Sequence, residues 1–353
     1  MIKKAKVQTL FVILLSILLL ISGCGSSKPA AAPAPASGNA QEIKWETVRL
    51  LYTESVYSLT SLVAQEKGFF TEEHLNVNMQ PLANGGLATS ALVGKSADFA
   101  VGSSGRFLNA VNKNLPIKAI AITHWGFAGE VIVKKGDDTS KKMEDLKGKK
   151  LAVQMGSGSS GVWLRYIDKL GLTPKDFKIY EMDTETIPAA FEKGEIDAAV
   201  PWVPFSTLVE DKGLGKVIID ADTIAKEVNA YYAFPVLTRQ ELIDKKPEVV
   251  QRFANAWVKA HVWIQKNPDE AREILVKAWE NLGLKLDEKI AKTAMKYVHT
   301  DRSGFTDADV EDMVQTALAY KKFGVSNDAA DAAKIKNYID NSFVQKAEAK
   351  LRK

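Results

Sequence analysis

The chain has 353 residues, 46% hydrophobic and 25% charged, which is enough for two lobes with real cores. Its 47 basic and 43 acidic residues leave a net charge of +4, with no basic block and no basic run interleaved with aromatics, so nucleic acid is not implied as a partner. Cys24 is the single cysteine, which excludes intramolecular disulfides, zinc–thiolate clusters and cysteine-pair redox chemistry.

The first segment reads as a targeting signal. Lys3, Lys4 and Lys6 precede an apolar run from Leu10 to Ile21. That run is shorter than the roughly 20 residues a membrane span needs. A charged start, a short apolar core and a small-residue exit are the parts of a secretory signal. The placement of Cys24 directly after Leu20-Ile21-Ser22-Gly23 resembles a bacterial lipoprotein signal; an incidental free thiol is the alternative. The resemblance implies cleavage after residue 23, lipid on the Cys24 sulfur, and tethering to the outer face of a bacterial cytoplasmic membrane. From Gly25 to about Lys44 the chain is mostly Ser, Pro, Ala and Gly without apolar periodicity, a flexible tether.

Strands and helices then alternate. Thr47–Tyr52 reads as a strand, Tyr57–Lys67 as a helix stopped by Gly68, and Leu75–Met79 as an alternating strand. A turn at Asn84-Gly85-Gly86 leads to a short helix, Leu87–Val93, then to the strand Asp98–Val101. Gly102-Ser103-Ser104-Gly105 opens the next helix, which Pro116 ends, and Ile117–Ile122 is another strand. Such alternation predicts a mostly parallel sheet, whose ligands sit beyond the carboxyl ends of the strands. Thr53, Glu54, Ser55, Gly85, Ser103, Ser104, His124 and Trp125 fall there, with Tyr57 close behind.

A second series begins at Glu130–Lys134. Leu151–Gln154 is a strand, Gly156-Ser157-Gly158-Ser159-Ser160-Gly161 a turn, and Val162–Ile167 the start of a helix. Phe177–Tyr180 and Asp197–Val200 are strands, and the latter breaks at Pro201-Trp202-Val203-Pro204. Lys216–Ile219 closes the series. The stretch Ala91–Val101 resembles Ala190–Val200: a helix end, a glycine for positive φ, an aspartate, a small apolar strand. True duplication and a common helix-to-strand turn both explain that echo. Ala230–Leu237 reads as a returning strand, and the rest is helical, including one helix over Ala330–Lys350. Trp257, Trp263 and Trp279 sit at helical spacing and read as packing rather than a binding face.

The two strand–Gly/Ser–helix units carry the chemistry. Each leaves backbone N–H groups unpaired at a helix start, and with the helix dipole they favour an anion. The four histidines lack metal-type spacing, no GxSxG elbow exists, and Val162 and Trp163 rule out a Walker A loop; no catalytic residue, metal or cofactor is expected. Gly156–Gly161 does fit G-x-G-x-x-G, and Asp183 lies near the ribose-acid offset. A secreted dinucleotide-binding oxidoreductase is therefore the alternative from a different class.

Several further segments carry a family resemblance. They are Ala64-Gln65-Glu66-Lys67-Gly68-Phe69-Phe70, Gly94–Phe99, Asp145–Val153, Gly194–Val200, Trp202-Val203-Pro204-Phe205 and Lys246–Phe253, in that order. Together they resemble the nitrate/sulfonate/taurine-type substrate-binding proteins of ABC importers, kin of thiamine-precursor (pyrimidine) binders. The resemblance covers about Val48 to Lys266. It implies an α/β, two-lobed periplasmic-binding-protein fold of type 2, each lobe a mostly parallel sheet flanked by helices, with a helical C-terminal tail packing on lobe one. The implied boundaries are 1–23 signal, 24–44 lipidated cysteine and tether, 45–126 first lobe, 127–232 second lobe, and 233–353 return and tail. It implies a monomer that captures a small organic anion and delivers it to permease and ATPase components. By family position, Ser104 and Gly105 fall in the first-lobe anion loop and Ser159 and Ser160, just after Ser157, in the second; Trp202 sits where the family has a Trp before its second-lobe helix, and Glu130 pairs with a ligand ammonium or makes a structural salt bridge. Val203 and Pro204 stand where taurine binders tend to carry an acid, and Arg106 is unusual. The cysteine cluster of the thiamine-precursor branch is absent.

Overall fold

The computed structural model describes residues 44–53, 55–82, 87–281 and 286–352. The signal and tether, with Cys24, lie outside the described residues, as do the candidate site residues Glu54 and Gly85.

Two five-stranded sheets carry the molecule. The first contains β1 (Glu46–Thr53), β2 (Leu75–Leu82), β3 (Phe99–Val101), β4 (Ile117–His124) and a returning strand, β10 (Phe234–Arg239). The second contains β5 (Val131–Lys134), β6 (Lys150–Val153), β7 (Lys178–Glu181), β8 (Ala198–Ala199) and β9 (Gly215–Ile219). Their orders are β2-β1-β3-β10-β4 and β7-β6-β8-β5-β9. In each sheet one strand, β10 or β5, runs antiparallel to both neighbours, and the remaining pairs are parallel. The reversed strand is in each case the one that enters from the other lobe. The central strands β3 and β8 are wholly buried, as strands covered by helices on both faces must be.

The sequence echo has a structural counterpart. Asp98 and Asp197 precede β3 and β8, the equivalent strands. Asp98 Oδ2 accepts the Arg49 backbone N–H at 2.8 Å, and Asp98 Oδ1 accepts Arg239 Nη1 at 2.7 Å. Asp197 Oδ2 accepts the Lys150 backbone N–H at 3.0 Å, and Asp197 Oδ1 accepts Lys134 Nζ at 2.6 Å. Each aspartate thus pins the parallel neighbour of its central strand, β1 or β6, and binds a cation from the reversed strand. One detail differs from the sequence reading. The positive-φ residue of the first turn is Lys95 (φ 61°), not Gly94, and it matches Gly194 (φ 69°).

Two chain crossings link the sheets, and they bond to each other: the Gly126 N–H donates to the Tyr231 carbonyl at 3.0 Å. Gly126 has φ +114°, and a Cβ there would run into the Tyr297 carbonyl. The expected strand Ala230–Leu237 forms only from Phe234, because the residues before it make the crossing. Just after the first crossing, Glu130 is 5% exposed, and its Oε1 accepts from the Tyr297 hydroxyl at 3.4 Å. Burial pushes its carboxyl from 4.5 up to about 7.

The tail covers the first sheet. The Pro247–Lys266 helix buries Val249, Phe253, Ala256, Trp257, Ala260 and Ile264, and Trp257 Nε1 donates to the Ile122 carbonyl at 3.0 Å. Trp279 is buried too, so both rings pack rather than bind. The expected helix over 330–350 is split into Ala332–Asn337 and Ser342–Leu351. In the gap, Ala119 donates to the Tyr338 carbonyl and accepts from Asp340, both at 2.8 Å. The break thereby satisfies the exposed edge of β4.

One tail helix reaches further. Asp307–Lys322 buries Val310, Met313 and Ala317 in the apolar cluster that holds Phe107 and Leu108 of the first lobe. On its other side Arg165, from the second lobe, pairs with Asp312 at 2.6 Å, with side chains 9% and 3% exposed. Asp312 Oδ2 also accepts the Tyr232 backbone N–H at 3.1 Å.

Two predictions follow from these buried carboxylates. Arg165→Met strands the Asp312 carboxylate and should lower unfolding free energy by about 3–5 kcal/mol in urea titration. Glu130 acts in the opposite sense. Between about pH 4.5 and 7 the unfolded chain ionises Glu130 while the folded chain still holds the proton, so stability falls as pH rises. Glu130→Gln removes that loss. The variant should match the parent near pH 4.5 and exceed it by roughly 3 kcal/mol at pH 8; equal pH profiles would contradict this.

Candidate functional site

A cavity of about 60 Å³ lies where the carboxyl ends of both sheets face each other. Thr53, Ser55, Tyr57, Leu82, Ser103 and Arg106 line it from the first lobe, and Tyr232 and Phe234 from the return crossing. Gln154, Ser157, Gly158, Glu185 and Trp202 line it from the second.

Both Gly/Ser turns end in capped helices. Ser103 Oγ accepts the Arg106 N–H at 3.4 Å and opens the Ser104–Asn112 helix. Ser157 Oγ accepts the Ser160 N–H at 3.1 Å and opens the Gly158–Lys169 helix. The caps place Ser and Gly at the first helical positions, and the N–H groups of Ser104, Gly105, Gly158 and Ser159 have no acceptor within their own helices. Each helix brings its positive end to the same place.

The two turns touch. A Cβ on Gly105 would lie 2.9 Å from the Gly156 carbonyl oxygen and 3.0 Å from the Gly158 nitrogen. A Cβ on Gly158 would lie 2.5 Å from the Tyr232 hydroxyl oxygen. The Tyr320 hydroxyl, from the 307–322 helix, donates to the Ser157 carbonyl. Only glycine allows lobes, crossing and tail to meet this closely.

The other candidate residues divide clearly. Thr53 Oγ1 lies 3.1 Å from Ser55 Oγ, and the Thr53 N–H donates to Ser58 Oγ at 3.1 Å. Ser104 and Ser159 are buried at their helix starts, and Ser160 turns back, its Oγ donating to the Ser157 carbonyl at 2.8 Å. Tyr57 stacks on His124 with centroids 4.8 Å apart. Trp125 is not on the lining. Its Nε1 donates to Asp301, and its ring lies 4.4 Å from that of His299, so the tail has claimed it. Glu130 is off the lining as well, behind Tyr297.

The sequence reading missed Gln154, Glu185, Tyr232, Phe234 and Leu82. Gln154 directly follows β6 and could have been found by the same rule that found Thr53. Tyr232 and Phe234 reach the cavity from the crossing, which no strand-end rule marks. Among the described residues Arg106 is the one cation on the lining and Glu185 the one carboxylate. Glu185 is exposed and Arg106 half-buried, so charge sits at the outer part of the cavity.

Among the described residues the lining contains no histidine, lysine or cysteine. Among the described residues no group of three or more His, Cys, Asp or Glu could hold a metal. Asp183 does not stand open to a ribose, since its Oδ1 accepts from Gln154 Nε2 at 2.9 Å. What the arrangement can do is surround a small anion with backbone N–H groups and hydroxyls, against aromatic walls.

Comparison with known proteins bears on family and fold. The NMT1/THI5-like family matches residues 55–271. The taurine-binding periplasmic protein of Escherichia coli (strain K12) is 29% identical over 261 residues, 72% of each chain. Among solved structures, the alkanesulfonate-binding protein SsuA from Xanthomonas axonopodis pv. citri bound to MOPS superposes with a TM-score of 0.71 at 15% identity, over 85% of this chain and 99% of that one. The periplasmic nitrate-binding protein NrtA from Synechocystis PCC 6803 gives 0.70 at 15%, over 87% and 89%. The desulfurization enzyme DSZB gives 0.64 at 14%, over 87% and 100%, so the fold also occurs in an enzyme. At these identities the structures establish the fold, and the family match spans more than half the chain. The chain therefore belongs to the NMT1/THI5-like family and has the two-lobed α/β fold of periplasmic binding proteins.

Proposed function

We propose that this chain is an extracytoplasmic solute-binding receptor of an ABC importer, capturing a small organic anion of the sulfonate type between its lobes. One observation carries the reading: capped helix starts from opposite lobes converge on one cavity. An anion there neutralises two positive helix ends that otherwise repel each other. It therefore binds the closed form better than an open one and shifts the population toward closure. The closed form then docks on permease and ATPase components. The relative named for taurine binding and the neighbours named for alkanesulfonate and nitrate binding support the ligand class and the extracytoplasmic location. Lipid on Cys24 tethers a monomeric receptor to the outer face of the membrane. Ser103, Ser104, Gly105, Ser157, Gly158 and Ser159 hold the anion, Thr53, Tyr57 and Trp202 shape the chamber, and Glu130 serves the crossing rather than the ligand. Nothing in the cavity lining favours the dinucleotide reading.

The test is thermal unfolding of the full chain with taurine, ethanesulfonate, nitrate, sulfate and NAD. A ligand at 100 times its dissociation constant adds about 2.7 kcal/mol, enough to raise the midpoint by on the order of 5 °C. A shift with an organic anion is expected; a shift with NAD alone would overturn the reading. Gly105→Ala should hold the two helix starts apart and weaken anion binding by about tenfold or more in calorimetric titration, with the circular dichroism spectrum retained.

A further inference from the structure

The deep part of the cavity is built from rings. Tyr57, Tyr232 and Phe234 are 3%, 2% and 3% exposed. Their centroids lie 4.8 Å (Tyr57–Phe234), 6.3 Å (Tyr232–Phe234) and 6.2 Å (Tyr57–Tyr232) apart. His124 backs this floor, stacked 4.8 Å from Tyr57 at 8° and 5.3 Å from Phe234. The floor is therefore fixed from behind.

Trp202 faces the chamber from the other lobe. Its backbone pairs with Gly129 of the first crossing, and its ring meets Phe205 edge-on at 6.4 Å and 80°. It is half-buried, whereas the floor rings are packed away. Leu82 adds an apolar side. Among the described residues no charged side chain lines the buried part: Arg106 is half-buried and Glu185 exposed.

This distribution discriminates among anions. Nitrate or sulfate would occupy the helix starts and leave the rings without a partner. Among the described residues the lining carries one carboxylate, the exposed Glu185, so ring faces alone would have to offset the lost hydration of taurine's ammonium, and a cation–π contact recovers only about 0.5–2 kcal/mol of it. A flat arene meets rings in the offset or edge geometry they prefer and buries its own apolar surface.

We infer that the ligand is a small arenesulfonate, its oxyanion on the two helix starts and its ring between Trp202 and the Tyr57–Phe234 floor. The inference rests on the receptor reading above and narrows its substrate class.

The test is calorimetric titration of the full chain with benzenesulfonate, ethanesulfonate, taurine and nitrate, repeated on Trp202→Ala and Trp202→Phe. Benzenesulfonate should bind at least about tenfold more tightly than ethanesulfonate, with taurine and nitrate weaker than either. Trp202→Ala should shrink the benzenesulfonate-to-ethanesulfonate ratio to within about twofold, and Trp202→Phe should keep most of it. Ethanesulfonate or taurine binding as tightly as benzenesulfonate in the parent overturns the arene inference and leaves the receptor reading standing. The same holds if the ratio survives Trp202→Ala. Binding by none of the four overturns both.

Discussion

Two positive helix ends face each other at close range, and the rest of the structure serves that encounter. The Ser104–Asn112 and Gly158–Lys169 helices start at turns so near that a single Cβ on Gly105 would strike the Gly156 carbonyl. Like poles in a poorly hydrated cleft repel, and the serine caps satisfy only one N–H at each end. The unspent donors and the unfavourable field are what an anion relieves. Glycine at the contact is a steric requirement, and serine at the caps a hydrogen-bonding one.

Holding the two helices in opposition requires two rigid supports of the same design. Each sheet places a buried central strand beside a parallel neighbour, β1 or β6, that brings a cavity-lining residue, Thr53 or Gln154, to the carboxyl edge. Asp98 and Asp197 lock the strand pairs in the same way in both lobes. They bond β1 or β6, the parallel neighbour of the central strand, through its backbone and the reversed strand through Arg239 or Lys134. These pairs do two jobs, since the same carboxylate closes the turn and fixes the register of the strand arriving from the other lobe.

The lobes are joined by more than their crossings. The 307–322 helix sinks its apolar side into the first lobe, and its Asp312 receives Arg165 from the second and the backbone of Tyr232 from the return crossing. One buried carboxylate thus connects tail, crossing and second lobe. Any relative motion of the lobes has to pivot around that group or break it, and breaking it exposes an uncompensated charge. The Tyr320 hydroxyl on the Ser157 carbonyl extends the same contact to the anion turn.

The sequence by itself determined the alternation of strands and helices, the two Gly/Ser helix starts, the echo around Asp98 and Asp197 and the buried face of the 247–266 helix. All of these are local: periodicity, caps and turn residues act within a few positions along the chain. It also marked Thr53, Tyr57, Ser103 and Ser157, because residues just after strands, or just inside the next helix, are carried to one edge of a parallel sheet, whereas Trp202 was marked by family position. Only the tertiary structure decided that Trp125 belongs to the tail, that Glu130 is sealed behind Tyr297, and that Tyr232, Phe234 and Gln154 share one wall. It also decided that Lys95, not Gly94, takes the left-handed turn, and that the last helix breaks to cover β4. Each of those outcomes depends on a partner more than about seventy residues away, or on the fit of a turn, and no local pattern records either.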